Sequence, residues 1–429
     1  MQVPAGPKGT RDFYPEDMAV RERIFSSWHR TCRRYGFEPY DGPQFEHLEL
    51  YTRKSGDEIE KQLYNFLDKG GRAVALRPEM TPTLARMVAA KGTSLKRPVR
   101  WYSIPRLFRY ERTQKGRLRE FFQLNMDILG IADVCADAEL IAAVIDTMRD
   151  LGCDEGDFTV CVSSRTLLEE AFTSFGVASE SLPGLYALLD RKAKVPENEF
   201  YADLGALARE ETARKKIADL LNGKTLDDIG QAAGSLASYE TLTRLFALMD
   251  TYGFRAYTGF DIGIVRGLAY YTGIVFEVFD KRRSMRAIAG GGRYDGLVKM
   301  YGGPDTPAVG FAAGDVVLGE LLAEKGGPAP QPPRSDVFVV TFEETGPEGA
   351  IRVTQRLRAA GIPAEFSLRK TGVGKQMAQA DAARARAVVF CGGDEEKQGL
   401  LKVKDMRAGE EKLVQADRLV ETVRELLSR

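Results

Sequence analysis

The chain has 429 residues, 44% of them apolar; at roughly 100–200 residues per domain this means two to four domains with real cores, which excludes wholesale disorder. Lys+Arg and Asp+Glu both number 61, so the chain is no polycation and any anion-binding surface must be local. The first predicted element is a helix over 18–36, with Ile24, Trp28 and Cys32 on one stripe and Gly36 after its end. Strand-like segments follow without a βαβ rhythm. Over 101–130 two strand-like runs flank a polar loop, TQKGR at 113–117, the pattern of a long hairpin. Short helical pieces over 176–250 read as an inserted helical subdomain. A strand over 274–280 and a glycine-rich segment over 286–298 come next. GGPAPQPPR at 326–334 carries four prolines in nine residues and reads as a stiff linker. Beyond it, strands at 336–342, 362–368, 386–392 and 400–406 alternate with helices at 347–361, 375–385 and 417–429, a small α/β domain.

The cysteines (Cys32, Cys135, Cys153, Cys161, Cys391) are odd in number and form no CxxC pair. That argues against a disulfide framework or zinc site and fits a reducing cytoplasm. Two histidines, His29 and His47, leave no His-rich metal site and almost no room for a Ser-His-Asp machine; both read as structural or surface residues. No stretch of 18 apolar residues exists, and MQVPAGPKGTRDFYPED lacks the apolar core of a signal peptide, so a cytoplasmic protein without membrane contact is expected.

Three segments carry chemistry. In the second run of the hairpin, Phe122, Leu124, Met126 and Ile128 form an apolar face. Arg119, Phe121, Gln123, Asn125 and Asp127 form the opposite one, and Arg109 and Glu111 share a face in the first run. Polar groups on the inner side of a sheet need partners, and a ligand with an anion and a flat ring supplies them; a solvated sheet face has the same alternation. Arginines and lysines interleaved with Phe108, Tyr110 and Phe121 suit phosphates and stacked bases, although a soluble hairpin tip is also basic. Over 264–280, Ile274, Phe276 and Val278 face one way, and Tyr271, Gly273, Val275 and Glu277 the other, with Arg266 needing an anionic partner. RAIAGGGRYDGLV at 286–298 lets backbone approach closely but is neither a P-loop nor a Rossmann fingerprint. LRPEMTPTLAR at 76–86 sets Glu79 and Thr81 beside prolines that also suit a helix start.

Read together, these blocks resemble the histidyl-tRNA synthetase family of class II aminoacyl-tRNA synthetases over nearly the whole chain. KGTRDFYPED (8–17) is similar to the family's N-terminal signature and 108–130 to class II motif 2. VRGLAYYTGIVFE (265–277) and GGGRYDGL (290–297) are similar to its two histidine-specific blocks. The region after the linker resembles the anticodon-binding domain of this subclass. The resemblance implies an α+β catalytic domain over 1–325, an antiparallel sheet flanked by helices with the 176–250 helical insertion, and an α/β anticodon-binding domain over 335–429. It implies ATP-dependent joining of L-histidine to tRNA(His) through a histidyl-adenylate, with Mg2+ accompanying ATP, in a homodimer built on the first helix.

The same resemblance assigns roles. Arg109 would hold the α-phosphate and the substrate carboxylate. Phe121 would stack on adenine, and Glu111 and Arg117 would contact the nucleotide. Glu79 and Thr81 would bind the α-amino group, Gln123 the carboxylate end, and Asp127 and Tyr271 the imidazole nitrogens, with Tyr270 and Tyr294 lining the pocket. Arg266 would add a cation beside the α-phosphate, so Arg109, Arg266 and Gln123 would carry catalysis. Arg112 and Gln114 would touch the tRNA acceptor end. Three positions depart from the family pattern: Asp127 where Glu is common, Ala269 where many relatives carry Asp, and Val317 where the motif 3 arginine that grips the γ-phosphate should fall. A cation among Lys281, Arg282, Arg283 and Arg286 is expected to compensate, and the divergent motif 3, VGFAAGDVVL at 309–318, resembles that of some plastid-type members. The competing readings are a catalytically silent paralogue, such as the histidine-sensing regulatory subunit of ATP phosphoribosyltransferase, and another class II specificity, prolyl or threonyl.

Overall fold

The computed structural model describes residues 3–55, 62–191, 195–208, 210–223, 225–233, 236–264, 270–326, 333–342 and 346–429. The chain divides into two compact units, Met1–Ala329 and Pro330–Arg429.

In the first unit α1 (Pro15–Arg34) begins three residues before the apolar stripe suggests. Pro15 opens its first turn and Asp17 accepts the Tyr14 N–H at 3.1 Å. The elements then run β1 (Glu38–Pro39), β2 (Phe45–His47), α2 (Glu49–Ser55), β3 (Asn65–Leu67), β4 (Ala73–Leu76), α3 (Thr81–Lys91), β5 (Val99–Ser103), β6 (Arg106–Phe108) and β7 (Glu120–Leu129). After α4 (Cys135–Arg149), β8 (Phe158–Ser164) and α5 (Arg165–Ser174) comes a run of helices. These are α6 (Leu182–Arg191), α7 (Glu197–Leu207), α8 (Glu211–Asn222), α9 (Leu226–Ala233) and α10 (Ala237–Thr251). The unit closes with β9 (Thr258–Phe260), β10 (Ile274–Asp280), β11 (Ala289–Arg293), α11 (Leu297–Met300), β12 (Ala308–Gly314) and α12 (Asp315–Gly326).

A nine-stranded sheet in the order β1-β5-β7-β12-β11-β10-β8-β9, with β6 paired to β7, organises this unit. Its edge pairs β1–β5 and β8–β9 are parallel and the pairs between them antiparallel. Side chains follow the strand period of two. Leu124, Met126 and Ile128 of β7, Ile274, Phe276 and Val278 of β10, and Val309, Phe311 and Ala313 of β12 enter the main core. That core is covered by α1 and by α4, whose Ala136, Leu140, Ile141, Val144 and Ile145 are buried. Burying each large apolar side chain contributes roughly 1.5–3 kcal/mol. The alternate residues face the other way, where a smaller core containing Leu84 and Val88 of α3 and Val275 covers only part of the sheet. The uncovered part is the floor of the site.

The second unit pairs β13 (Val337–Thr341), β14 (Ala364–Phe366), β15 (Ala387–Cys391), β16 (Leu400–Asp405) and β17 (Glu411–Gln415) in the order β14-β13-β15-β16-β17. The β13, β14 and β15 pairings are parallel, and β16 and β17 add antiparallel strands. Helices α13 (Pro347–Ala359), α14 (Val373–Ala382) and α15 (Leu419–Leu427) pack on it. The strand at 411–415 is missing from the sequence reading. It is a charged edge strand of mostly exposed residues, so it carries no apolar alternation.

Candidate active site

Two adjoining cavities lie on the uncovered face of the sheet. The first, of about 210 Å³, is lined by Glu79, Thr81, Arg109, Gln123, Asn125, Asp127, Tyr270, Tyr271 and Tyr294, with Gln62, Gly310 and Phe311 among the others. The second, of about 570 Å³, is lined by Arg109, Glu111, Arg117, Phe121, Gln123, Glu277, Phe279, Arg286, Val316 and Val317 among others. Arg109, Gln123, Gly290 and Ala312 border both.

The floor of the first cavity is β7, which presents Gln123, Asn125 and Asp127 on alternate positions. Asp127 is 3% exposed and accepts a hydrogen bond from the Tyr294 hydroxyl at 2.5 Å. Burial pushes its carboxyl up to about 7 against the lowering effect of that hydrogen bond. Its room comes from the neighbouring strand. Gly310 of β12 stands opposite Asp127 in the register, and a Cβ at 310 would run into the carboxylate. Tyr270, Tyr271 and Tyr294 box in the other side: the Tyr270 ring lies 4.9 Å from Tyr271 and 5.9 Å from Tyr294. Gly292 makes space for this box, since a Cβ there would sit 2.9 Å from Tyr271 Cδ1. The Tyr270 hydroxyl donates to Glu79 Oε2 at 3.2 Å. Glu79 and Thr81 stand where β4 passes into α3; the prolines start a helix, and the same turn lines the cavity.

Arg109 is the hinge between the cavities. Its Nε donates to the Pro78 carbonyl at 2.9 Å, and its guanidinium lies 5.2 Å from the centre of the Phe121 ring. In the second cavity Arg117 pairs with Glu111 at 2.5 Å. The structure departs from the reading of the first hairpin run as a strand through residue 111. β6 ends at Phe108, so Arg109 and Glu111 belong to a loop rather than a sheet face. Arg119 likewise precedes β7, and its guanidinium covers the Tyr110 ring at 4.2 Å. Within that loop Gln114 and Arg117 bridge across a tight turn in which Gly116 takes φ 72°, a value that favours glycine. Arg112 and Gln114 are exposed and line neither cavity.

Other sequence candidates fall as follows. Arg266 and Ala269 lie outside the described residues. Val317 is 6% exposed on α12 and lines the second cavity. Arg283 is engaged by Asp261 at 2.6 Å and Arg282 by Glu324 at 3.0 Å, while Arg286 lines the second cavity. His29 Nδ1 sits 2.9 Å from the Tyr102 hydroxyl. Burial lowers its pKa, and Arg33 adds to the effect; His47 is exposed on β2. Sequence reasoning missed Arg77, 2% exposed, which ties Asp41 (2.7 Å) and the Gly42 carbonyl (2.8 Å) to the strand that leads to Glu79. It also missed how the N-terminal segment is used. Arg119 N–H donates to the Gly9 carbonyl at 2.9 Å, and Arg11 pairs with Asp315 at 2.7 Å, so this segment braces the loop and the start of α12.

A largely antiparallel sheet thus carries a small polar, tyrosine-walled cavity joined through Arg109 to a larger cavity lined by several cations, and the chain has a second, α/β unit. Residues 9–315 match the family model for histidyl-tRNA synthetase, and 336–426 match an anticodon binding domain. The chain is 41% identical over 429 residues to a histidine–tRNA ligase of Opitutus terrae, covering 98% of each chain. It is 40% identical over 406 residues to the chloroplastic/mitochondrial histidine–tRNA ligase of Arabidopsis thaliana, covering 94% of this chain and 84% of that one. The crystal structure of histidyl-tRNA synthetase from Nostoc sp. PCC 7120 superposes with a TM-score of 0.82 at 25% identity, covering 99% of this chain and 100% of the other. The chain belongs to the histidyl-tRNA synthetase family.

Proposed function

We infer that this chain ligates histidine to tRNA in two steps, with the paired cavities as the site of the first. The family match over 9–315 and the full-length relatives carry the activity. The sharing of Arg109 and Gln123 by both cavities supports the residue assignment. Histidine occupies the first cavity. Glu79 and Thr81 take its α-amino group and Gln123 its carboxylate end. Asp127 and Tyr271 meet the imidazole nitrogens, with Tyr270 and Tyr294 as walls and Arg266 as a further cation beside the reacting groups. ATP occupies the second cavity, with adenine on Phe121, Glu111 and Arg117 at the nucleotide, and Arg109 at the α-phosphate.

The histidine carboxylate oxygen forms a bond to the α-phosphorus while the bond to the bridging oxygen breaks and pyrophosphate leaves. No protein nucleophile is required. Arg109 lies where both reactants meet, so it offsets the charge that builds on the phosphoryl oxygens and holds the carboxylate in line. The terminal ribose hydroxyl of tRNA then attacks the adenylate carbonyl and AMP leaves, with Arg112 and Gln114 on the exposed loop contacting the acceptor end and residues 335–429 reading the anticodon. Selectivity comes from Asp127 and the tyrosines: an unpaired buried group costs about 1–3 kcal/mol, so an amino acid without imidazole donors is rejected.

Magnesium would arrive on the nucleotide. Glu111 and Glu277 line the second cavity and suit a hard cation held partly by phosphate oxygens. No helix among the described residues is long and apolar enough to cross a membrane; we place the chain in the cytoplasm, as a homodimer. Pyrophosphate exchange into ATP, run with each of the twenty amino acids, tests the reading. Histidine alone should support exchange, and exchange driven equally by proline or threonine would sink it. The absence of any amino-acid-dependent exchange would restore the silent-regulator alternative.

A further inference from the structure

The second cavity has two ends. At one, Arg109 and Gln123 adjoin the small cavity. At the other, Gly116, Leu118 and Val316 also border a neighbouring groove. Arg286 belongs to this far end. A Cβ built on Gly116 would lie 3.2 Å from Val317 Cγ2 and 3.4 Å from Arg286 Cδ, so these two side chains converge on one glycine.

Arg286 is placed by a braced hairpin between β10 and β11. Asp280, 3% exposed, accepts from the Ser284 N–H at 3.0 Å, the Ser284 hydroxyl at 3.0 Å and the Met285 N–H at 2.9 Å. Met285 packs against the main core, and Ile288 N–H donates to the Val278 carbonyl at 2.8 Å. The backbone is therefore held on both sides of Arg286, while its side chain is exposed and makes no hydrogen bond or ion pair to a described residue. The neighbouring cations are turned elsewhere: Lys281 lines a different groove, with Asp157 and Asp280. Arg282 pairs with Glu324, Arg283 with Asp261, and Arg117 with Glu111. Without Arg286, a polyphosphate reaching this end would meet apolar Leu118, Val316 and Val317, and an Arg117 whose charge is already shared with Glu111.

We propose that Arg286 binds the distal phosphates of the nucleoside triphosphate, and the same phosphates after they leave as pyrophosphate, supplying from the hairpin the charge that Val317 does not supply from α12. The assignment rests on the larger cavity being the nucleotide site. A guanidinium offers two parallel donors to phosphate oxygens and stays charged throughout.

The test uses the full-length protein and calorimetric binding of ATP, AMP and histidine, with the Michaelis constants from pyrophosphate exchange. Arg286→Ala should weaken ATP by roughly 10- to 100-fold, the span of one lost charge-assisted contact. AMP and histidine should stay within about twofold, which also reports that the variant is folded. Arg286→Lys should recover part of the loss, and Arg282→Ala should change nothing. ATP affinity untouched by Arg286→Ala would overturn the proposal. So would an equal weakening of AMP and ATP, which would mark a contact with the base or α-phosphate. Phe121→Ala and Arg109→Ala separate the two levels. If they weaken both nucleotides and Arg286→Ala weakens neither, only the role of Arg286 fails. If they leave both nucleotides bound, the nucleotide cavity itself is misassigned.

Discussion

Asp127 shows how one side chain in this site depends on its neighbours. A carboxyl at the centre of a sheet is costly to ionise, and burial raises it to about 7. Its folded-state pKa is raised, so at pH 6 it is mainly protonated and at pH 8 mainly ionised. Only the ionised form accepts from an imidazole N–H with both oxygens. Histidine affinity should therefore rise with pH through about 7, partly because free imidazole also loses its proton near 6.5. The variant Asp127→Asn cannot gain that charge. Measured in pyrophosphate exchange from pH 6 to 8, the ratio of its KM for histidine to that of the unaltered protein should climb, reaching roughly 10- to 100-fold at the upper end. A ratio that stays level with pH would show that the carboxylate does not meet the imidazole. Alternation along β7 was enough to place Gln123, Asn125 and Asp127 on one face, because strand geometry acts at a spacing of two residues. The contact with Tyr294 was not legible from that pattern, since the two residues lie 167 positions apart in sequence.

At the scale of the element, β11 lies between β10 and β12 with every residue buried. Gly291 faces Phe276 and Phe311 across the two pairings, and a Cβ there would lie 2.6 Å from Phe311 Cβ, 2.8 Å from Phe276 Cζ and against the Gly310 carbonyl. None of these is the free end of a flexible chain, so Gly291→Ala must push strands apart at a cost of about 1–3 kcal/mol. The melting temperature should fall by roughly 2–4 °C per kcal/mol, and a calorimetric scan with no shift would contradict the close packing. The end of the same strand is held by Arg293, which forms an ion pair with buried Asp137 of α4 and donates to the Ile131 carbonyl at 2.9 Å. Leaving either charge alone there would cost about 3–5 kcal/mol, and Tyr294, one residue on, is held by its own N–H, which donates to the Ala308 carbonyl at 2.7 Å. Three glycines in a row let backbone approach closely, but the sequence does not say what comes near them. The decision lay with aromatic side chains on two other strands. The loop at 113–117 is legible in the sequence, but it is longer than it reads: residues 109–112 and Arg119 also lie outside the strands, on a path set by the Gly9 and Pro78 carbonyls, which accept from Arg119 and Arg109.

For the whole molecule, the chain divides into Met1–Ala329 and Pro330–Arg429, and the proposed function assigns the chemistry to the first unit and anticodon recognition to the second. Both cavities are built from the first unit alone. Protein lacking residues 330–429 should keep pyrophosphate exchange and lose tRNA charging by at least roughly an order of magnitude, because a second surface on the same ligand adds effective concentration. Charging by the truncated chain at the full rate would remove the anticodon-reading role from the second unit. The sequence by itself determined the period-two faces of the long strands, the apolar stripe of α1, the alternating units after the proline-rich stretch and, through motif order, the family. Each rests on neighbours a few residues apart or on patterns that survive without coordinates. Only the tertiary structure decided that Arg109 stands between two cavities, that Arg286 rather than Arg282 or Arg283 enters the larger one, and that Gly310 and Gly292 leave the space Asp127 and Tyr271 occupy. Those outcomes depend on which distant strands pair and in what register, and register is a property of the assembled sheet.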